Sequence, residues 1–389
     1  MPALFASLPG AVLVPAGPDA GAVWHYGNPL GEQRALEDGR AIVELARGVL
    51  TVGGPDRLSW LNSITSQNLL GLGTGASSET LVLDPSGRIE YAVRVIEDGE
   101  RLWLIVDQAE AAGLLDFLQK MRFMLRVEIE DVTDACAVLG STVPLFAVAA
   151  SREVKGDAVE RGAAAASSTI GTHVWHDPWS QVALGGHQYA GDDHDYSTWN
   201  WFETIVARDF AAGLAQRAAS DLVAVAGVAA SEALRIAARR PRFATEVDER
   251  SIPHELDWLR SAVHLNKGCY RGQETIAKVH NLGHPPRRLV LLHLDGSDAV
   301  LPAPGADVVV GDNAVGRVTA SAQHHELGPI ALAVIKRSVD PAVQLTVRAE
   351  GTEIAAAQEV IVPPSAGAAA DVPRLPRLGA VTRRSGASE

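Results

Sequence analysis

Two cysteines in 389 residues, Cys136 and Cys269, are too few for a disulfide framework or for a metal cluster held by four thiolates of one chain. No run of about 18 uninterrupted apolar residues occurs, so no membrane-spanning helix is expected. The first 21 residues contain no Lys or Arg and lack the basic region of a secretory signal. With Pro2, Pro9, Pro15 and Pro18 they read as a flexible leader (1–21) on a cytoplasmic protein. Positive charge is also in deficit. Lys and Arg number 34 against 47 Asp and Glu, a formal net charge of −13. That argues against direct, sequence-independent binding to nucleic acid, which neutralises phosphates with Lys and Arg. The local clusters Arg235, Arg239, Arg240, Arg242 and Arg374, Arg377, Arg383, Arg384 read as a solvated helix face and a basic tail.

The length suggests two or three domains. Leu81–Leu83 is strand-like, Asp84-Pro85-Ser86-Gly87 is a turn signal, and Ile89, Tyr91, Val93 and Val95 alternate with polar or small residues. Leu102–Val106 gives a third strand. Leu114, Leu115, Leu118 and Met121 recur at helical spacing, and Leu125, Val127 and Ile129 alternate again. This order predicts an α+β module with an antiparallel sheet. Residues 151–170 read as a surface excursion. Residues 171–201 mix His173, His176, His187 and His194 with Asp177, Asp192, Asp193 and Asp195. Their spacing fits no metal motif, and they read as strand ends beside an acidic loop. Helices are expected over 202–219 and 229–239. From Arg288, short apolar runs separated by Gly, Asp, Asn or Pro predict a small β-barrel or sandwich. Residues 363–389 are rich in Pro, Ala, Gly and Ser and read as a disordered tail.

The most informative stretch is Lys267-Gly268-Cys269-Tyr270-Arg271-Gly272-Gln273-Glu274. Gly268 and Gly272 bracket the cysteine and permit a tight loop. Lys267 and Arg271 are two cations beside it in sequence. Cations near a thiol favour the thiolate, which is the nucleophile and metal ligand. The duller reading is a turn with a buried Cys, but an apolar core seldom accepts Lys and Arg on both sides. Cys136, in the apolar run Ala135-Cys136-Ala137-Val138-Leu139, reads as a buried packing residue. His280 and His284 follow Cys269 closely, yet Asn281, Gly283, Pro285 and Pro286 argue for a loop there, and a catalytic Cys–His pair is not favoured.

The octapeptide resembles the K-G-C-[FY]-x-G-Q-E signature of YgfZ-type folate-binding proteins, relatives of the aminomethyltransferase (T-protein) of the glycine cleavage system. Trp24-His25-Tyr26-Gly27, Gly54–Leu61 and Gly283–Leu289 resemble flanking parts of the same family. The resemblance covers roughly residues 20–362. It implies a three-domain cloverleaf with a discontinuous first domain: a folate-binding region over 22–284 and a C-terminal β-barrel over 285–362. It implies a tetrahydrofolate cofactor and support of iron–sulfur protein assembly or repair. Iron–sulfur client or assembly proteins would be the partners, any cluster would be held only transiently, and effects on tRNA modification would be indirect. Cys269 would be the reactive thiol, aided by Lys267 and Arg271, with Gly268, Tyr270, Gly272, Gln273 and Glu274 shaping the loop or binding the cofactor. Two positions depart from T-proteins. Tyr91 and Ala92 align with an acidic pair, with Glu90 one place out of register, and Ala237 stands where relatives carry a Glu that contacts the pterin. These departures imply an accessory rather than catalytic role; a folate-dependent one-carbon transferase is the alternative, and a purely structural adaptor a third reading.

Overall fold

The computed structural model describes residues 3–150, 171–191, 196–297 and 300–370. The alternation read between residues 77 and 107 becomes an antiparallel sheet in the order Ser77–Leu83, Ile89–Glu97, Arg101–Asp107, Arg47–Gly53, Glu128–Asp131. Helices Arg57–Ile64 and Ala111–Lys120 bury Trp60, Leu61, Leu114 and Leu118 against Leu50, Val93 and Leu104 on one face of it. A bulge interrupts the first hairpin. Val82 pairs with Tyr91 and Leu83 with Ile89, so Glu90 is the extra residue. Ile89 and Ala92 therefore join the same core although three residues apart, which strict alternation forbids.

A second sheet runs His173–His176, Phe202–Ala207, Cys136–Ser141, Ala41–Leu45, Ala224–Val225, antiparallel except for its last pairing. Its strands come from before and after the first sheet, because Ala41–Leu45 passes directly into Arg47–Gly53 across Ala46. The helix expected over 202–219 is thus a strand, Phe202–Ala207, followed by a helix, Arg208–Ala219. The apolar run of the strand merges with the helical pattern behind it. The third unit is a closed six-stranded barrel, starting with Arg287–Leu294 and ending with Thr352–Val360. Helix Val228–Ala237 packs against the barrel and against strand Ala41–Leu45 of the second sheet.

Two terminal readings are corrected. The leader is not loose. The Glu44 carboxylate accepts the Leu4 and Phe5 amides at 3.0 and 3.1 Å, Phe5 is buried, and Val12–Leu13 pairs with Val23–His25. Burying one Phe contributes about 1.5–3 kcal/mol toward the cost of ordering the segment, with the strand pairing and the Glu44 contacts adding to it. At the other end, residues 363–370 pack on helix Gln273–Leu282: Ala366 is buried, and the Ala369 amide donates to the His280 carbonyl at 2.9 Å. The rest of the expected tail, the excursion 151–170 and residues 192–195 lie outside the described residues.

Candidate functional site

The octapeptide enters helix Gln273–Leu282. Gly272 caps it with φ 83°, and a Cβ there would stand 2.6 Å from the Asp84 carbonyl and 3.0 Å from Gly87 Cα. Only glycine fits, so the loop seats directly on the Asp84–Gly87 turn. Gln273 Nε2 donates to the Lys267 carbonyl at 3.1 Å and closes the loop on itself. Glu274 is exposed in the first turn, where a carboxylate favours the positive end of the helix dipole. Tyr270 is buried, which raises its hydroxyl pKa. Gly268 is exposed, has open space around its Cα and no left-handed φ, so sterics do not demand glycine there.

Lys267 and Arg271 act differently from the sequence expectation. Lys267 Nζ donates to the carbonyls of Asn62, Thr65 and Gln67 at 2.6, 2.8 and 2.7 Å. An ammonium has three N–H groups, and all three are taken. Burial lowers its pKa to about 8, while the carbonyl dipoles favour the charged form. Arg271 Nη1 pairs with Glu90, the bulged residue, at 2.8 Å. Both cations position the loop on the first sheet and its helix, and Cys269 is left exposed at its crest. Cys136 is buried as read, and burial pushes its thiol up to about 11.

The histidines have other partners. His280 lies on the helix, not in a loop, because the apolar positions Ile276 and Val279 carry the helix on to Leu282. Its Nδ1 is 3.0 Å from the Tyr189 hydroxyl, and its ring meets His187 edge-on at 4.6 Å. His284 Nδ1 donates to the Ala366 carbonyl at 2.7 Å.

Charge sits where sequence reasoning missed it. Arg235, Arg240 and Arg242 are buried, not on a solvated helix face. Arg242 pairs with Asp19 and Asp107 at 2.6 and 2.8 Å, and Arg235 with Glu232 and Glu246 at 2.9 and 2.8 Å. Arg240 pairs with Glu79 and Asp177 at 2.5 and 3.0 Å, and Arg47 with Asp107 and Glu203 at 2.5 and 3.0 Å. Arg94 approaches Glu203 at 3.4 Å. Against the cost of burial, Arg242, Arg47 and Arg94 hold the Asp107 carboxyl well below its usual range. The knot joins both sheets, the leader and helix Val228–Ala237. It encloses a cavity of only about 30 Å³. Beside it, sharing Trp199, lies a cleft of about 280 Å³ lined by Tyr196, Asn200, Leu234, Ala237 and His324.

Comparison with known proteins places this architecture. Residues 287–364 match the glycine cleavage T-protein C-terminal barrel domain. Over 80% of the chain there is 25% identity to an aminomethyltransferase of Streptomyces avermitilis, covering 82% of that protein. The tRNA-modifying protein YgfZ of Vibrio vulnificus is 24% identical over 84% of this chain and 93% of its own. A chloroplastic protein of Arabidopsis thaliana named as a transferase is 24% identical over 73% of this chain, which spans 62% of its length. Among solved structures, the glycine cleavage system aminomethyltransferase T of Bartonella henselae superposes with a TM-score of 0.67 at 18% identity, over 91% of this chain and 94% of that one. The fold, with its mixed α/β units and closed six-stranded barrel, is that of the T-protein. On the octapeptide, the barrel match and these relatives together, the chain is similar both to YgfZ and to aminomethyltransferases, and it carries the T-protein fold.

Proposed function

We propose that the chain is an accessory, non-catalytic YgfZ-like protein that binds a reduced folate and supports assembly or repair of iron–sulfur proteins, with Cys269 as its working atom. One observation carries the reading: an exposed thiol stands on a loop fixed by five anchoring contacts, those of Lys267 to three carbonyls, of Gln273 to the loop's own backbone and of Arg271 to Glu90. Among the described residues no group of three His, Cys, Asp or Glu side chains is placed to hold a metal ion. A cluster handled at Cys269 is therefore completed by ligands of the protein that gives or receives it. Effects on tRNA modification would follow indirectly, through clients that need such clusters.

Of the two cavities at the centre, the larger suits the folate better. The central knot leaves room for about one water molecule and no pterin. The neighbouring cleft, near the small end of the range for ligand sites, takes a bicyclic ring with its tail toward solvent. Tyr196, Trp199 and Leu234 would hold the ring there, with Asn200 and His324 as polar neighbours. A folate supplies a carrier for one-carbon units. The transferase alternative is set aside because Glu90, the carboxylate nearest the expected acidic pair, is paired with Arg271.

The test is complementation of a deletion strain with Cys269→Ser, reading iron–sulfur enzyme activities and using thermal melting as the folding control. The variant is expected to melt like the parent and to restore nothing; full restoration sinks the thiol reading. Titration calorimetry with tetrahydrofolate tests the cleft: Trp199→Ala should weaken binding, and an unchanged affinity would place the ligand elsewhere.

A further inference from the structure

We propose that the loop Arg122–Arg126 is a docking foot for the partner protein that Cys269 serves; this rests on the thiol reading above. Phe123, Met124 and Leu125 are 78%, 99% and 41% exposed, the only three consecutive large apolar residues so exposed among the described residues. The alternation of Leu125, Val127 and Ile129 predicts a strand from residue 125, but the strand begins only at Glu128. The tip is therefore not a sheet face that lost its cover.

The loop is firmly mounted. Trp60 Nε1 donates to the Met121 carbonyl at 2.9 Å, and the Leu125 amide to the Arg122 carbonyl at 3.1 Å. Asp56 takes the Arg126 amide at 2.9 Å and its guanidinium at 2.8 and 3.0 Å. Phe123 is held at φ 47°, a conformation that costs a bulky residue energy and persists only where the surroundings impose it. Rigid presentation of exposed Phe, Met and Leu lowers the entropy lost on binding.

Two observations identify the occupant. Lys120 and Arg122 are exposed beside the tip on a protein of net charge −13. Aromatic residues, Met and Arg are the residues enriched at the centre of protein interfaces. The complementary surface is an apolar pocket rimmed by carboxylates on another protein. An anionic bilayer is disfavoured by the net charge. The second observation is the helix Arg57–Ile64. Its N-terminal end supplies Asp56 and Trp60 to the foot, and its C-terminal end supplies the Asn62 and Thr65 carbonyls to Lys267. Eight residues at 1.5 Å rise make about 12 Å. One short rigid element therefore anchors both the foot and the thiol loop and fixes one relative to the other.

The test combines Phe123→Ser, Met124→Ser and Leu125→Ser in one variant, with Arg122→Glu as a second, each in the full chain and each compared with Cys269→Ser in the deletion strain. All five positions are exposed, so melting should match the parent, and iodoacetamide should still label Cys269 at the parent rate. The triple variant is expected to lose at least about tenfold of the restored iron–sulfur enzyme activity and Arg122→Glu a smaller share, while the triple variant combined with Cys269→Ser should restore no more than Cys269→Ser alone. Full restoration by the triple variant, with Cys269→Ser inactive, overturns the foot and leaves the thiol reading standing. The reverse pattern overturns the thiol reading and with it the shared partner. Flotation of the parent with phosphatidylglycerol vesicles, or a dimer in sedimentation that the triple variant abolishes, would overturn the proposal in favour of a bilayer or a second copy.

Discussion

The centre of the molecule and the Cys269 loop are both rich in cations, and they use them in opposite ways. In the centre, Arg47, Arg235, Arg240 and Arg242 each meet two or more carboxylates, out of water. In the loop, Lys267 meets no carboxylate among the described residues and caps three carbonyls, while Arg271 holds Glu90, which is about a third exposed. The central arrangement joins both sheets, the leader and helix Val228–Ala237, and leaves a cavity of only about 30 Å³. The loop arrangement fixes backbone and leaves a thiol free. A cation's neighbours in sequence do not reveal which of these roles it takes; the groups facing it across the fold do.

The contrast breaks most visibly at Arg242. Arg242→Ala strips Asp19 and Asp107 of a buried partner and should cost about 3–5 kcal/mol in urea unfolding. A loss below about 1 kcal/mol would mean that the knot is hydrated and open. The two thiols come next. At pH 8 the Cys136 thiolate fraction lies about 100-fold below that of an ordinary thiol of pKa 9.0, because its pKa is about 11. Iodoacetamide should therefore label exposed Cys269 well before buried Cys136 in native protein, and comparable rates would erase the distinction.

Lys267→Met should cost about 2 kcal/mol by orphaning three carbonyls, measured by thermal melting. It should also remove a pH dependence. The folded pKa of Lys267, about 8, lies below its ordinary 10.5. The unfolded chain thus binds more protons between those values, and stability from this group rises from pH 8 to 10.5. Urea midpoints of the parent should gain over those of Lys267→Met across that window; parallel curves would show an unshifted lysine. Smallest is Arg271→Ala, expected to cost under about 1 kcal/mol because both partners are about a third exposed. A larger loss would make the loop resemble the centre.

What could be read from the sequence was local. The hairpins around Asp84–Gly87 declared themselves by alternation and a turn, and the barrel by short runs between breakers. The octapeptide marked the loop because Gly272 and Gln273 act within a few residues of Cys269. The knot was invisible because Glu79, Asp107, Asp177 and Glu203 lie in four separate segments, and an isolated charge reads as solvated by default. The bulge at Glu90 was hidden for a related reason. One extra residue changes which side chains share a face, and only the pairing of Val82 with Tyr91 shows it. The leader misled because prolines suggest looseness, while Glu44, which pins it, is some forty residues away.

The pairing of Asp19 with Arg242 spans 223 residues. Chains are made at about 5–20 residues per second, so the leader waits roughly 10–45 s after its own synthesis for that partner to emerge. During this interval Asp107 has Arg47 as a partner but still lacks Arg242. Assembly at the centre is therefore a late event on the ribosome. The growing chain must stay soluble through that delay on the excess of carboxylates it already carries.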